Sequence, residues 1–150
     1  MAGVAVAGLG AVGVSGCSTG PSEEARTAER LVPLVRSALG DEKSARSLAG
    51  AEPRYAAALA VVADQRAEHA RALREEIIRL DQGVAATIDE PAPSAAPAPG
   101  GPPTLVGLRA GLEQSSGEAR DVAISLSGYP AGLAGSVAAA VTSMREVQLA

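Results

Sequence analysis

The sequence predicts an all-α protein built as a four-helix bundle, and three observations support this prediction. Apolar residues recur at spacings of three and four along four separate segments, which is the pattern of an amphipathic helix. Alanine, the best helix former, is abundant. Few clusters of β-branched or aromatic residues alternate with polar ones, and the chain has no Phe and no Trp, which disfavours strands. Two tight corners and one long connection join the four segments, as a four-helix bundle requires.

Ahead of the first helix, residues 2–14 form an uncharged apolar run. The run is too short to span a bilayer, which takes about 20 residues, but it has the length of a signal-peptide core. The residues Val14-Ser15-Gly16-Cys17 that follow resemble the lipobox of bacterial lipoproteins. The resemblance implies that residues 1–16 are a signal peptide and that Cys17 carries diacylglyceryl, with residues 17–21 as the lipidated cysteine and spacer.

The predicted lipid on Cys17 implies where the protein is located. Acyl chains hold a protein stably at a membrane, so we expect the chain on the outer face of the cell membrane, with an envelope protein as its partner. No basic residue precedes the apolar run, although export signals normally carry one, so we expect the start codon upstream or a truncated chain. The alternative is that residues 2–14 are a buried helix and Cys17 is a free thiol.

The first helix is predicted to begin at Ser22, whose side chain is a typical N-cap and is followed by two acidic residues. Pro33 lies inside this segment and should kink or divide the helix. We expect the helix to end at Gly40-Asp41, and residues 41–52 to form a connection. Its apolar stripe is Ala28, Leu31, Val35 and Leu39.

The second helix has the strongest pattern in the chain. Pro53 suits its first position, and the pattern continues to about residue 81, so that residues 22–88 hold the first two helices. Arg71 and Glu75 are four residues apart on its outer side and should pair. The inward stripe is Tyr55, Leu59, Val62, Arg66, His69, Leu73, Ile77 and Leu80.

Residues 89–103 are rich in Pro, Ala and Gly and have no periodic pattern. Such a composition cannot bury enough apolar area to offset the ordering of the chain, so we predict a disordered or extended linker. The alternatives are a long surface connection without a function of its own and a docking motif.

Residues 104–149 hold the third and fourth helices, with Thr104 as the cap of the third. Gly128-Tyr129-Pro130 forms the corner between them, where we expect Tyr129 to fill the end of the bundle. The third stripe is Leu105, Leu108, Leu112, Ser115, Ala119, Val122 and Leu126, and the fourth is Leu133, Val137, Ala140, Met144 and Val147.

Two segments carry a further resemblance. Residues 60–73, which include Arg66 and His69, and residues 135–140 resemble a ferritin-like domain of unknown function found in actinobacteria. The resemblance covers residues 22–149 as one domain. It implies a ferritin-like four-helix bundle and no known activity.

Ferritin-like di-iron sites need a Glu from each of two helices and a Glu-x-x-His from each of the other two. His69 lies on the inward stripe, but Arg66 stands three residues before it, where a Glu would be needed, and a guanidinium would repel a metal ion. The last helix offers Ser143 to Glu146 and no His. We therefore expect no metal and no other cofactor.

Other function classes are disfavoured by composition and motifs. Acidic residues outnumber basic ones 17 to 13, which argues against nucleic-acid binding. No Gly-x-Ser-x-Gly motif and no phosphate-binding loop is present in the mature sequence, and one cysteine allows no intramolecular disulfide. An Ala-rich bundle with few large side chains could complete its core as a homodimer.

The candidate site residues are Gln65, Arg66 and His69, on one turn of the second helix. We interpret them as a hydrogen-bonded polar cluster at the edge of the core. The alternative is a small-molecule or metal-binding site, or a general base. We therefore expect a non-enzymatic lipoprotein with a binding or structural role in the envelope, and keep a ligand-binding module around His69 as the alternative.

Overall fold

The computed structural model describes residues 20–91 and 102–150, and the regular structure within them is entirely helical. The all-α prediction is therefore confirmed. The helices are α1 (Glu23–Ala51), α2 (Ala56–Leu80), the short α3 (Gln82–Ala86), α4 (Leu105–Ser125) and α5 (Gly128–Ser143), with a 3-10 turn at Pro53–Tyr55 and a π-helical turn at Met144–Gln148. The predicted third and fourth helices are α4 and α5.

Two predicted helix caps are confirmed. The Ser22 hydroxyl accepts a hydrogen bond from the backbone N–H of Ala25 at 3.1 Å. The Thr104 hydroxyl accepts one from the N–H of Gly107 at 3.0 Å. Each side chain satisfies one of the N–H groups that have no partner within the first turn of a helix.

The contacts between helices define their directions. Asp41 and Arg46 of α1 pair with Arg66 and Asp64 of α2, so these two helices are antiparallel. The Arg30 side chain of α1 donates to the Ser125 carbonyl, and Ser37 contacts Ser115, so α1 and α4 are antiparallel as well. Because both α2 and α4 oppose α1, they are parallel to each other. α2 therefore ends, and α4 begins, at opposite ends of the bundle.

The first part of the crossover from α2 to α4 is held against α1 and α2. The Arg36 guanidinium donates to the carbonyls of Thr87, Ile88 and Glu90, at distances of 2.7 to 3.2 Å. Arg74 forms two hydrogen bonds with the Asp89 carboxylate, and Ile88 is 3% exposed. Asp89 and Glu90 of the predicted linker thus have defined contacts, and residues 92–101 lie outside the described residues.

The four long helices share one hydrophobic core. Many core positions are alanines, which allow helix axes to approach closely. The largest apolar side chains with essentially no exposure are Leu31, Leu59, Leu73, Ile77, Leu112, Met144 and Leu149.

The predicted end of the first helix is wrong. α1 continues through Pro33 and Gly40-Asp41 to Ala51, so residues 41–51 are helical rather than a connection. Pro33 is on the solvent side, where its ring does not disturb the packing that holds the helix together. Leu39 is 38% exposed, and Ala38 occupies the core position instead.

Two predicted core residues are exposed. Tyr129 is 67% exposed, and Pro130 is the buried residue at this corner. Val147 is 69% exposed, because the helix widens into a π turn in which the Leu149 N–H bonds to the Met144 carbonyl. The extra residue in this turn changes the helical register and places Leu149 in the core.

The predicted signal peptide and Cys17 lie outside the described residues. Among the helices that are described, none combines the length and the apolar character that crossing a membrane requires.

Candidate functional site

Five side chains from three helices form a polar cluster inside the bundle. This central polar cluster consists of Ser37 and Asp41 on α1, Arg66 and His69 on α2, and Ser115 on α4. Asp41 and Ser115 face the core, because each lies at the spacing of three or four residues that the buried side chains of its helix follow. Arg66 is 1% exposed, so its guanidinium lies fully within the core.

Four of these groups form a closed ring of hydrogen bonds. Arg66 Nη2 lies 2.9 Å from Asp41 Oδ2, and the Ser115 hydroxyl donates to the same oxygen at 2.8 Å. Since the proton of Ser115 is used on Asp41, the Ser37 hydroxyl must donate to Ser115 across 2.5 Å. Arg66 Nη2 also contacts the Ser37 oxygen, at 3.4 Å. Each hydroxyl proton in the ring therefore has a defined acceptor.

Burial sets the electrostatics of the ion pair. It raises the pKa of the Asp41 carboxyl above its ordinary value, while Arg66 and Ser115 act in the opposite direction. Burial also lowers the pKa of Arg66, against the attraction of Asp41. In both groups the loss of hydration outweighs the attraction of the partner, as is common for buried ion pairs. Within the described residues the Arg66 Nε–H meets no acceptor.

His69 is held in its neutral form. Its Nδ1 lies 3.3 Å from Arg66 Nη1, and because a guanidinium can only donate, Nδ1 accepts and the ring proton is on Nε2. Burial, and then the positive charge of Arg66, lower the pKa of His69 to about 4. At neutral pH the imidazole is therefore uncharged and a weak base.

The three predicted site residues are only partly brought together. Arg66 and His69 are in contact, and Arg66 lies inside the core rather than at its edge. Gln65 is exposed and does not join the cluster, but it lines the same surface groove as His69. This His69 groove is lined by Asp64, Gln65, Glu68, His69 and Ala140.

The partners of Arg66 were not predicted from the sequence. Asp41 is expected at the end of the first helix, yet it lies inside α1 and is 8% exposed. A signal was present, because Ala38, Asp41, Ala45 and Leu48 continue the inward spacing beyond Gly40. An arginine on an inward stripe also requires a nearby carboxylate, and Asp41 is the acid on the inward face of α1.

Metal ligands are not grouped in the part of the chain that the structure describes. Among residues 20–91 and 102–150, no three His, Cys, Asp or Glu side chains come together as a metal ion would require. Asp41 and His69 belong to one cluster, but Arg66 stands between them with a positive charge.

Comparisons with protein-family models, with curated proteins and with solved structures find no match to this chain.

Proposed function

We propose that this protein is a lipid-anchored domain of the bacterial cell envelope with a non-enzymatic binding or structural role. The observation that carries the non-enzymatic part is the closed ring in the core. Asp41, Ser37 and Ser115 supply the carboxylate and the hydroxyls of the cluster that includes His69, and all of them are bonded to each other or to Arg66. No group of the cluster is left to act as a nucleophile beside the imidazole.

The state of His69 supports the same conclusion. A general base works best when its pKa lies near the operating pH, and the pKa of His69 is about 4. Its Nδ1 is directed at Arg66, and a base must direct its free nitrogen at the proton that it removes. The cluster is suited to specifying how three helices pack rather than to proton transfer.

The anchor rests on the lipobox-like residues that end at Cys17. α1 begins at Glu23, directly after its cap, so only a short spacer separates the predicted lipid from the folded domain. A bundle attached in this way would stay close to the membrane surface.

We further propose that the fold is ferritin-like. The topology supports this, since α2 and α4 are parallel and are joined by one long crossover, as in ferritin-like bundles. In this proposal the ion pair of Asp41 and Arg66 occupies the interior that holds the metal ions in di-iron members.

The anchor is tested by phase partition of the full chain expressed in a bacterium, with a short basic segment placed ahead of residue 2. We expect the protein to enter the detergent phase and the Cys17→Ser variant to remain in the aqueous phase. A Ser18→Ala variant is the matched control and should partition as the unmodified chain does. Equal partition of Cys17→Ser and the unmodified chain would contradict lipid attachment.

The second candidate function is ligand binding in the His69 groove. One observation favours it: His69, Gln65 and the two acidic residues Asp64 and Glu68 line the same groove. Metal analysis and thermal shift of the protein and of His69→Ala separate the two candidates. A bound ion or ligand that disappears with His69→Ala would favour binding, and a change in stability alone would favour the non-enzymatic role.

A further inference from the structure

One end of the bundle is formed by three chain segments. They are the N-terminus of α1, the C-terminus of α2 and the corner between α4 and α5. Arg30 Nη1 donates to the Ser125 carbonyl at 3.3 Å, which ties α1 to this corner. Residues 23–30, 79–80 and 125–130 contribute to one groove here. We call this region the α1 end of the bundle.

Two large apolar side chains at the α1 end are more than half exposed. Ile124 is 80% exposed and Tyr129 is 67% exposed, and they lie on either side of the α4–α5 corner. We call these two residues the apolar tip. Single exposed apolar residues are common on protein surfaces, so exposure alone does not identify a partner.

The position of the predicted lipid does identify a partner for the apolar tip. Cys17 is three residues before Gly20, the first residue described, and covalent geometry limits the separation of their Cα atoms to about 11 Å. Gly20 itself lies at the α1 end, where a Cβ placed on it would be 3.6 Å from Arg26 Nη2. An acylated Cys17 would therefore hold the α1 end next to the bilayer.

We infer that the α1 end rests on the lipid bilayer and that the apolar tip enters the headgroup region. This inference rests on the proposed lipid anchor. Tyrosine is favoured at membrane interfaces, because its ring is apolar and its hydroxyl stays hydrated. The anchor also makes the contact intramolecular, so two side chains suffice where a free domain would need a larger surface.

The charges at this end do not select for anionic lipids in the bilayer. The groove contains Glu23 and Glu24 as well as Arg26, Arg30 and Arg79, and so carries both signs. Such a surface is not selective for anionic lipids, and the contact depends on the apolar tip.

The absence of tryptophan from the chain permits a direct test. Single Trp probes are introduced into the full acylated chain as Tyr129→Trp, Ile124→Trp and Val106→Trp. Val106 is the matched control, because it is 75% exposed but lies at the opposite end, near the N-terminus of α4. Each variant is bound to phosphatidylcholine vesicles with and without brominated acyl chains. Flotation measures attachment, and loss of Trp emission measures contact with lipid.

We expect all three variants to float and brominated lipid to quench the probes at 129 and 124 but not at 106. Flotation with no quenching at 129 and 124, or with equal quenching at all three positions, would overturn this inference and leave the anchor standing. Failure to float, shared by a Cys17→Ser control, would overturn the anchor and the inference together.

Discussion

Arg66 is a cation in the middle of a core that consists mainly of aliphatic side chains. Its charge is balanced by Asp41, and the hydroxyls of Ser37 and Ser115 complete the ring around the pair. A buried ion pair adds little net stability, because both groups lose their hydration, but removing one partner leaves an uncompensated charge. We expect the pair to select one packing of α1, α2 and α4.

A double-mutant cycle tests this account of the pair. Arg66→Met and Asp41→Leu should each lower the free energy of unfolding by about 3–5 kcal/mol, because each leaves a single buried charge. The double variant should lose less than the sum of the two, since no unpaired charge remains. Urea denaturation measures the four values. The exposed pair of Arg71 and Glu75, 2.7 Å apart, is the control and should show little coupling. Additive losses at 41 and 66 would contradict the account.

The depressed pKa of His69 predicts a dependence of stability on pH. The pKa is about 4 in the folded protein, while a histidine in an unfolded chain has a pKa of 6.5, so between these values the unfolded chain binds a proton that the folded chain does not. The free energy of unfolding should therefore fall as pH decreases from 6.5 to 4 and be unaffected by His69 above this window. We expect a loss of about 1–2 kcal/mol, because His69 is partly exposed and solvent screens the charge.

The His69→Gln variant isolates this contribution. Asp41, with its raised pKa, acts in the opposite direction, since its folded form binds a proton more readily than its unfolded form as pH falls. The difference between the wild-type and His69→Gln profiles removes the Asp41 term. Parallel profiles from pH 7 to 4.5 would show that His69 titrates normally.

Among the elements, α1 and the C-terminal turn departed from the predicted pattern. α1 contains Pro33 and Gly40, both of which disfavour a helix locally, yet it is one continuous element. Its length follows from the inward side chains on both sides of these residues, which pack on α2 and α4. Packing of an amphipathic face, rather than intrinsic propensity, supplies most of the stability of helices in proteins.

The π turn at the C-terminus buries a different apolar side chain from the one that regular helical spacing predicts. Leu149 is fully buried and Val147 is 69% exposed, although the helical spacing from Met144 favoured Val147. Leu149→Ala should lower the free energy of unfolding by about 2–4 kcal/mol, because it opens a cavity in the core. Val147→Ala is the matched control and should change it by less than about 0.5 kcal/mol. Thermal or urea unfolding provides both values. A larger loss for Val147→Ala than for Leu149→Ala would mean that the helix keeps its α-helical register.

At the scale of the whole molecule, the crossover makes α2 and α4 parallel. It is fastened at its start by Arg36, which donates to three backbone carbonyls of residues 87–90, and by the Arg74–Asp89 pair. These contacts were not predicted from the sequence, because the acceptors are main-chain groups far from Arg36 along the chain. They hold the buried Ile88 against the core.

Arg36→Ala should release this segment without unfolding the bundle. Hydrogen bonds from a charged donor contribute about 1.5–3 kcal/mol in proteins, so local opening of residues 84–90 should become roughly 10- to 100-fold more frequent. Hydrogen exchange of the amides of 84–90, compared with those of α4, measures the effect. Arg46→Ala removes an exposed arginine of the same helix and serves as the control. Unchanged exchange at 84–90 would show that Ile88, and not Arg36, holds the crossover.

The sequence alone determined the helical class, the caps at Ser22 and Thr104, and the position of Arg66 on an inward face, since these depend on local spacing and local hydrogen bonds. Only the tertiary structure decided that Asp41 pairs with Arg66 and that Leu149 replaces Val147 in the core. Those outcomes depend on which surfaces meet across the bundle. A side chain on one helix gains a partner or loses its hydration only when another helix packs against it. The residues of that second helix lie far away along the chain.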